Sequence, residues 1–320
     1  MMPQFYDQLA MPELRFILSL TNADNDYQIE QAAAAEHAAK RLHVDLEIIQ
    51  ANNDAITQSQ QLLRIIQSRS ESRCDAILFE PVGGTAMVQA ARAAAAAGIG
   101  WAVLNRDVEY LTEIRTAFRV PAFSVTSDHK EIGRIQGRQI ARLLPSGGAV
   151  LSVQGPAESL AAKQRASGMF EAMPADVQLK ITRAAWTEAS AYRVVSSWLR
   201  LPTSQRCPVD LVAAQDDSMA MGARKAFQEI TGESQERWSS LLFLGCDGLP
   251  NSGQAWVRKR FLAATIYSPP NAGKAIEMMV NAVQASAMPP EQTLIAPLSY
   301  PALDALAPFA SGMRKFSAGV

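Results

Sequence analysis

The sequence predicts an α/β protein whose core is doubly wound parallel sheet, arranged in two lobes. Three observations predict it. Short, near-continuous apolar runs recur along the chain, as expected of strands covered by helices on both faces. Between them lie stretches with helical periodicity, so the rhythm is strand, helix, strand, helix. The length, 320 residues, suits two sheets better than one sheet of nine strands.

The apolar runs are 14–20, 44–50, 75–79, 99–104, 149–153, 177–184, 209–214, 241–245 and 262–267. The helical patterns are 27–42, 54–68, 85–97, 129–144, 159–173, 189–199, 217–230 and 270–285. The rhythm is broken once, at 106–125, by a longer and less periodic stretch, which is the first expected crossing between lobes. A second is expected at SPPN (268–271) and a third near 294–300. Three crossings make each lobe discontinuous: 14–124 plus 269–291, and 125–268 plus 292–320, with a ligand cleft between them.

Composition excludes several classes of function. Net charge is −1, so no global field draws the chain to nucleic acid or anionic membrane. No apolar run is long enough to span a bilayer. The three cysteines, Cys74, Cys207 and Cys246, form no metal-binding or redox spacing, and the three histidines give metal chemistry little material. No cofactor is expected: there is no dinucleotide fingerprint, P-loop or nucleophile elbow. SGG (146–148) precedes a strand and reads as a turn.

The functional signal is a convergence at one end of the strands. After successive runs come TNADNDYQ (21–28), EPVGG (80–84), NRD (105–107), QGPAES (154–159), WTE (186–188), QDD (215–217) and CDG (246–248). Amides, carboxylates, a guanidinium and two aromatics thus gather at the carboxyl ends of parallel strands, where ligands bind in such sheets. Asp217 directly precedes a helical pattern and reads as its N-cap. Glu80 with Pro81 reads as a structural turn.

AAQDDSMAMGARKAF, GCDG, VLNRDV, QGPAESLAAKQRASGMF and NDYQIEQAAAAEHAAKRLHV together resemble the ribose-type periplasmic sugar-binding proteins, from about residue 14 to 300. The resemblance implies a periplasmic binding protein of type I: two Rossmann-like lobes joined by three crossing strands. It places Asn25, Tyr27 and Gln28 in a first ligand loop, and Asn105 and Arg106 where the family has Asp-Arg. Lys163 and Arg165 fall on a basic pair, and Trp186 on an aromatic that stacks on the sugar. Asp216 falls where ribose binders carry Asn, Cys246 and Asp247 on an aromatic-Asp pair, and Ser268 on a position often Gln. Aromatics suit the C–H faces of a sugar ring; carboxylates and arginine suit its hydroxyls. Arg106 is expected to offset the burial of Asp247. The departures from the ribose pattern point to a hexose, polyol or modified sugar.

The implied role is capture of a carbohydrate-like ligand for ABC permease membrane subunits, by a monomer in the periplasm that neither binds nucleic acid nor inserts in the membrane. No signal peptide is read at the N-terminus, so a cytoplasmic sensor acting through a partner protein remains the alternative, and a sugar-modifying enzyme a third.

Overall fold

The computed structural model describes residues 14–68, 73–82, 87–106, 108–205, 207–230, 238 and 240–308. The first residues, Gly83 and Gly84, Asp107 and the last residues of the second expected lobe lie outside these. The chain divides into two compact units, one of residues 1–126 and 270–294, the other of 127–269 and 295–320.

The first unit is a sheet of order β11-β5-β4-β3-β1-β2. Its strands are β1 (Leu14–Leu20), β2 (Val44–Gln50), β3 (Ala76–Phe79), β4 (Gly100–Leu104), β5 (Ala122–Ser127) and β11 (Gln292–Ile295), and β1 to β5 pair in parallel. Helices α1 (Asp26–Leu42), α2 (Ala55–Gln67), α3 (Val88–Ala96) and α4 (Leu111–Ala117) connect them. Alternate strand residues feed opposite faces: Ile17, Ile77, Phe79, Trp101 and Val103 pack with Leu62, Ile66, Ala90 and Ala94 of α2 and α3. The other face is covered by α1 and by the helix Ala272–Ala285, α11. Gln31 ties these two helices together, accepting the backbone N–H groups of Asn271 and Ala272, both at 2.9 Å.

The second unit repeats the plan. Its sheet order is β7-β6-β8-β9, all parallel: β6 (Gly148–Gln154), β7 (Val177–Arg183), β8 (Leu211–Ala214) and β9 (Leu242–Leu244). Helices α5 (His129–Leu143) and α6 (Leu160–Ala172) cover one face, packing Ile140, Leu143 and Met169 on Val150, Leu211 and Ala213. Helices α7 (Glu188–Leu199) and α9 (Asp217–Gln228) cover the other, packing Val195, Ala220 and Ala223 on Leu151, Val153, Val212 and Ala214. Short helices α8 (Pro202–Gln205) and α10 (Gly253–Arg258) and the antiparallel ribbon of β10 (Thr265–Tyr267) with β12 (Leu298–Tyr300) complete it.

The repetition reaches single hydrogen bonds. In the first unit Asp75 accepts the Arg15 N–H on its carboxylate and donates its own N–H to the Arg15 carbonyl, each at 2.8 Å. In the second unit Asp210 does the same with Ala149, again at 2.8 Å for both bonds. In both sheets the strand order reverses direction beside the first strand. The crevice for a ligand therefore opens at the carboxyl ends of β1 and β3 in one unit and of β6 and β8 in the other.

The doubly wound α/β class is what the apolar rhythm predicts, but β5, β11, β12, α4, α8 and α10 were not expected as elements. β5, AFSVTS, interleaves serine and threonine with apolar residues, so its complete burial leaves no continuous apolar run. β11 and β12 are four and three residues long, too short to show a period. The run 262–267 reduces to β10, which leaves the parallel sheet for the ribbon with β12. Among the described residues, no helix is long and apolar enough to cross a membrane.

Candidate functional site

At the β1/β3 crevice of the first unit, the organising residue is Glu80. It follows the fully buried strand β3 and is itself 4% exposed. Its Oε2 accepts the Gln28 amide Nε2–H at 2.9 Å, and its Oε1 accepts the Asn105 Nδ2–H at 3.2 Å. Gln28 in turn accepts the Thr21 N–H at 3.1 Å. Gln58 locks the backbone beneath, donating to the Glu80 carbonyl at 2.9 Å and to Ser19 Oγ at 3.0 Å. One carboxylate thus draws together the first turn of α1, the end of β3 and the end of β4. Asn105 stands at φ 57°, a left-handed conformation that asparagine tolerates better than most residues, and its Oδ1 is buried without a hydrogen-bond partner.

Of the other residues expected here, Tyr27 is buried in the first turn of α1. Arg106 is half-buried and donates from Nη1 to the Asn105 carbonyl at 2.8 Å. Asn25 caps α1, accepting the Tyr27 and Gln28 N–H groups at 2.9 and 3.4 Å, a local role that the ligand-loop reading did not contain.

The crevice of the second unit is built around Arg165. This guanidinium is only 7% exposed. It donates to the Gln215 carbonyl, lies 3.5 Å from His129 Nδ1 and 3.9 Å from Asp247 Oδ1, and stacks 5.6 Å from the centre of the Trp186 ring. Gln215 holds the floor, accepting the Gly155 N–H at 2.9 Å and donating to the Ala162 carbonyl at 3.0 Å. Trp186 has φ 58° and is pinned from both sides by Ser190. That hydroxyl accepts the Ala185 N–H at 2.9 Å and donates to the Thr187 carbonyl at 3.0 Å. The indole lies so close to Gly155 that a Cβ there would fall 2.1 Å from a ring carbon.

The capping role expected of Asp217 falls to its neighbour. Asp216, not Asp217, is the N-cap of α9: its side chain accepts the Met219 N–H. Burial raises its carboxyl, while the Met219 N–H and Arg165 pull it back toward the ionised form. Asp217 is the first helical residue and is 3% exposed. It accepts the Gly248 N–H at 2.7 Å and the Thr265 hydroxyl at 2.6 Å, and burial pushes its carboxyl up to about 8. An aspartate in the first turn satisfies either description from sequence alone, because helix boundaries read from a pattern shift by a residue.

Three further expected residues are placed as follows. Cys246 is fully buried with Ile132, Ile135 and Ile266, and burial drives its thiol pKa upward, so it is a core residue. Ser268 is 1% exposed and shares a 2.7 Å hydrogen bond with Ser127. Lys163 is exposed while Arg165 is buried, because residues two apart on a helix point to opposite sides; they do not act as a basic pair. The cation expected from Arg106 is provided, within the unit that carries Asp247, by Arg165. Glu80, read as a structural turn, is a structural residue whose carboxylate also organises the crevice. His129, not expected in the site, is 5% exposed.

The profile of the periplasmic binding protein domain family matches residues 16–287. A putative rhizopine-binding protein of Rhizobium meliloti is 30% identical over 199 residues, which are 60% of this chain and 60% of the relative, so the aligned part spans less than two thirds of that protein. The ribose import binding protein of Escherichia coli is 26% identical over 262 residues, 82% of this chain and 81% of the relative. Among solved structures, a periplasmic solute binding protein of an ABC transporter from Actinobacillus succinogenes, with bound D-allose, superposes with a TM-score of 0.77 over 90% of this chain and 97% of that one, at 21% identity.

Proposed function

The chain belongs to the periplasmic binding protein domain family, and from that premise we propose that it captures a monosaccharide-like, polyhydroxylated solute for ABC-type uptake. The observation that carries this reading is the Arg165–Trp186–Asp247 group in the second unit's crevice. An aromatic face, a guanidinium and a carboxylate together suit a ring with apolar C–H faces and paired hydroxyls. Taken by itself, the first unit's crevice carries groups of the same chemistry: Gln28, Asn105 and Arg106 for hydroxyls, and Tyr27 as an aromatic. Asp216 would add one carboxylate oxygen beyond the one that caps α9.

The ligand class goes beyond ribose. Relative to the ribose pattern, Asn105 has an amide for a carboxylate and Asp216 a carboxylate for an amide, and Cys246 and Ser268 are buried. The solute is held without covalent change and handed to a permease outside the cytoplasm. Relatives named as import binding proteins support this reading.

A thermal-shift screen over D-ribose, D-allose, D-fructose, myo-inositol and amino sugars tests it. A ligand present at a hundred times its Kd adds about 2.7 kcal/mol to the stability of the form that binds it. In domains of this size that raises the melting temperature by roughly 5–10 °C. Trp186→Ala should remove most of that shift. A shift that survives this substitution removes Trp186 from the site.

A further inference from the structure

The Asp217 carboxyl is enclosed to an unusual degree. Three glycines surround it. A Cβ at Gly245 would fall 2.0 Å from its Oδ1, and a Cβ at Gly253 would fall 2.0 Å from its Oδ2. The third, Gly248, donates its N–H to Oδ2. The Thr265 hydroxyl on β10 completes the ring of contacts at Oδ1. At Gly245 and Gly253 the absence of a side chain is what admits this carboxyl, which is 3% exposed.

What it holds is the turn 245–248. In this turn Asp247 has φ 98° and Gly248 φ 58°. At φ 98° Asp247 lies beyond the left-handed helical region that aspartate tolerates, so its conformation needs support from its surroundings. Its N–H donates to the Ile266 carbonyl and its carbonyl accepts the Ser268 N–H, both at 3.0 Å. Those bonds align the turn with β10. The bond from Gly248 to Asp217 ties it to the first turn of α9, which directly follows Asp216 and the Gln215 carbonyl held by Arg165.

We propose that Asp217 is a positioning residue for ligand binding: its enclosed side chain fixes the 245–248 turn and so sets the direction of the Asp247 carboxylate. This rests on the reading that Asp247 contacts the solute. Burial holds the Asp217 carboxyl up at about 8. The carboxyl accepts the Gly248 N–H on Oδ2 and the Thr265 hydroxyl on Oδ1. An amide with its oxygen toward Gly248 keeps that bond and can donate to the Thr265 hydroxyl in turn, whereas alanine can do neither.

Two readouts test this on the full chain. The first is amide hydrogen exchange in the ligand-free protein. Asp217→Ala and Thr265→Val should speed exchange at Gly248 by at least about tenfold, while Asp217→Asn stays within about threefold of the wild type. The threonine variant decides the matter if the alanine variant does not fold. Unchanged exchange at Gly248 in the variants that fold overturns the proposal. The second is affinity for D-ribose, D-allose or myo-inositol in a double-mutant cycle. Asp217→Ala should weaken binding about tenfold in the wild-type background and not at all when Asp247 is already alanine. Losses that simply add overturn the proposal and leave the ligand reading intact. An Asp247→Ala variant with wild-type affinity refutes the ligand reading of Asp247, and this inference falls with it. If none of the three sugars binds, the proposed ligand class fails and the exchange result alone decides.

Discussion

Replacing Arg165 with alanine is the most informative single perturbation. The side chain is 7% exposed and serves four neighbours: the Gln215 carbonyl, His129, the Trp186 ring and the Asp247 carboxylate. Removing it leaves the Gln215 carbonyl without this donor, at a cost of about 1–3 kcal/mol for a buried group. It also removes a cation–ring contact worth about 1–2 kcal/mol when desolvated. Breaking a fully buried ion pair costs about 3–5 kcal/mol. Here the charges are 3.9 Å apart and Asp247 is 24% exposed, so that contribution falls to about 1 kcal/mol. The sum is about 3–6 kcal/mol, discounted for local relaxation to roughly 2–4 kcal/mol. Urea unfolding followed by tryptophan fluorescence reads it, since Trp186 is released by the same change. Arg165→Lys should recover less than half, because an ammonium cannot replace the planar, multi-donor guanidinium. A loss below about 0.5 kcal/mol for Arg165→Ala, which is the range of ordinary surface substitutions, would show that the guanidinium does not hold this crevice together and would refute the reasoning.

Other consequences follow from the same geometry. The Asp217 carboxyl lies at about 8 in the folded protein against an ordinary 3.8. The native state therefore holds a proton that the unfolded chain releases. The stability this contributes is complete below pH ~4 and declines as pH rises toward ~8. Chemical denaturation across that range should show the slope, reduced in Asp217→Asn. Gly155→Ala drives a methyl into the Trp186 ring; displacing the indole should lower stability by about 1–3 kcal/mol, visible in the same unfolding curves. Lys163→Ala, at an exposed position, should change stability by less than about 0.5 kcal/mol and leave sugar affinity unaltered in a titration.

The strands that made the fold legible are those buried on both faces. AILF and LVAA announce themselves as apolar runs because a parallel sheet between helices has no solvent side. β5 does not, because its serines and threonines are buried with hydrogen bonds that only the tertiary structure supplies: Ser124 N–H to the Glu291 carbonyl, and Ser127 to Ser268. The site was legible as a set of strand ends and much less so as a set of roles. Nothing in QDD says which aspartate turns inward; that depends on glycines thirty residues downstream that leave room for one carboxyl. Cys246 and Asp247 are neighbours in sequence, yet one faces an isoleucine cluster and the other the crevice. The opposition of Lys163 and Arg165, by contrast, follows from helical spacing alone. Glu80 carries its meaning only through Gln28 and Asn105, which lie 52 and 25 residues away.

The central claim is that the Arg165–Trp186–Asp247 crevice binds a polyhydroxylated solute. Isothermal titration of the wild type and of Asp247→Ala with the sugars and polyols named above tests it most directly. The account predicts that at least one of them binds the wild type in a one-to-one complex and that Asp247→Ala weakens it at least about tenfold, the equivalent of 1.4 kcal/mol. Wild-type binding that is equally tight in the Asp247→Ala protein, or no binding to any of them, would contradict it.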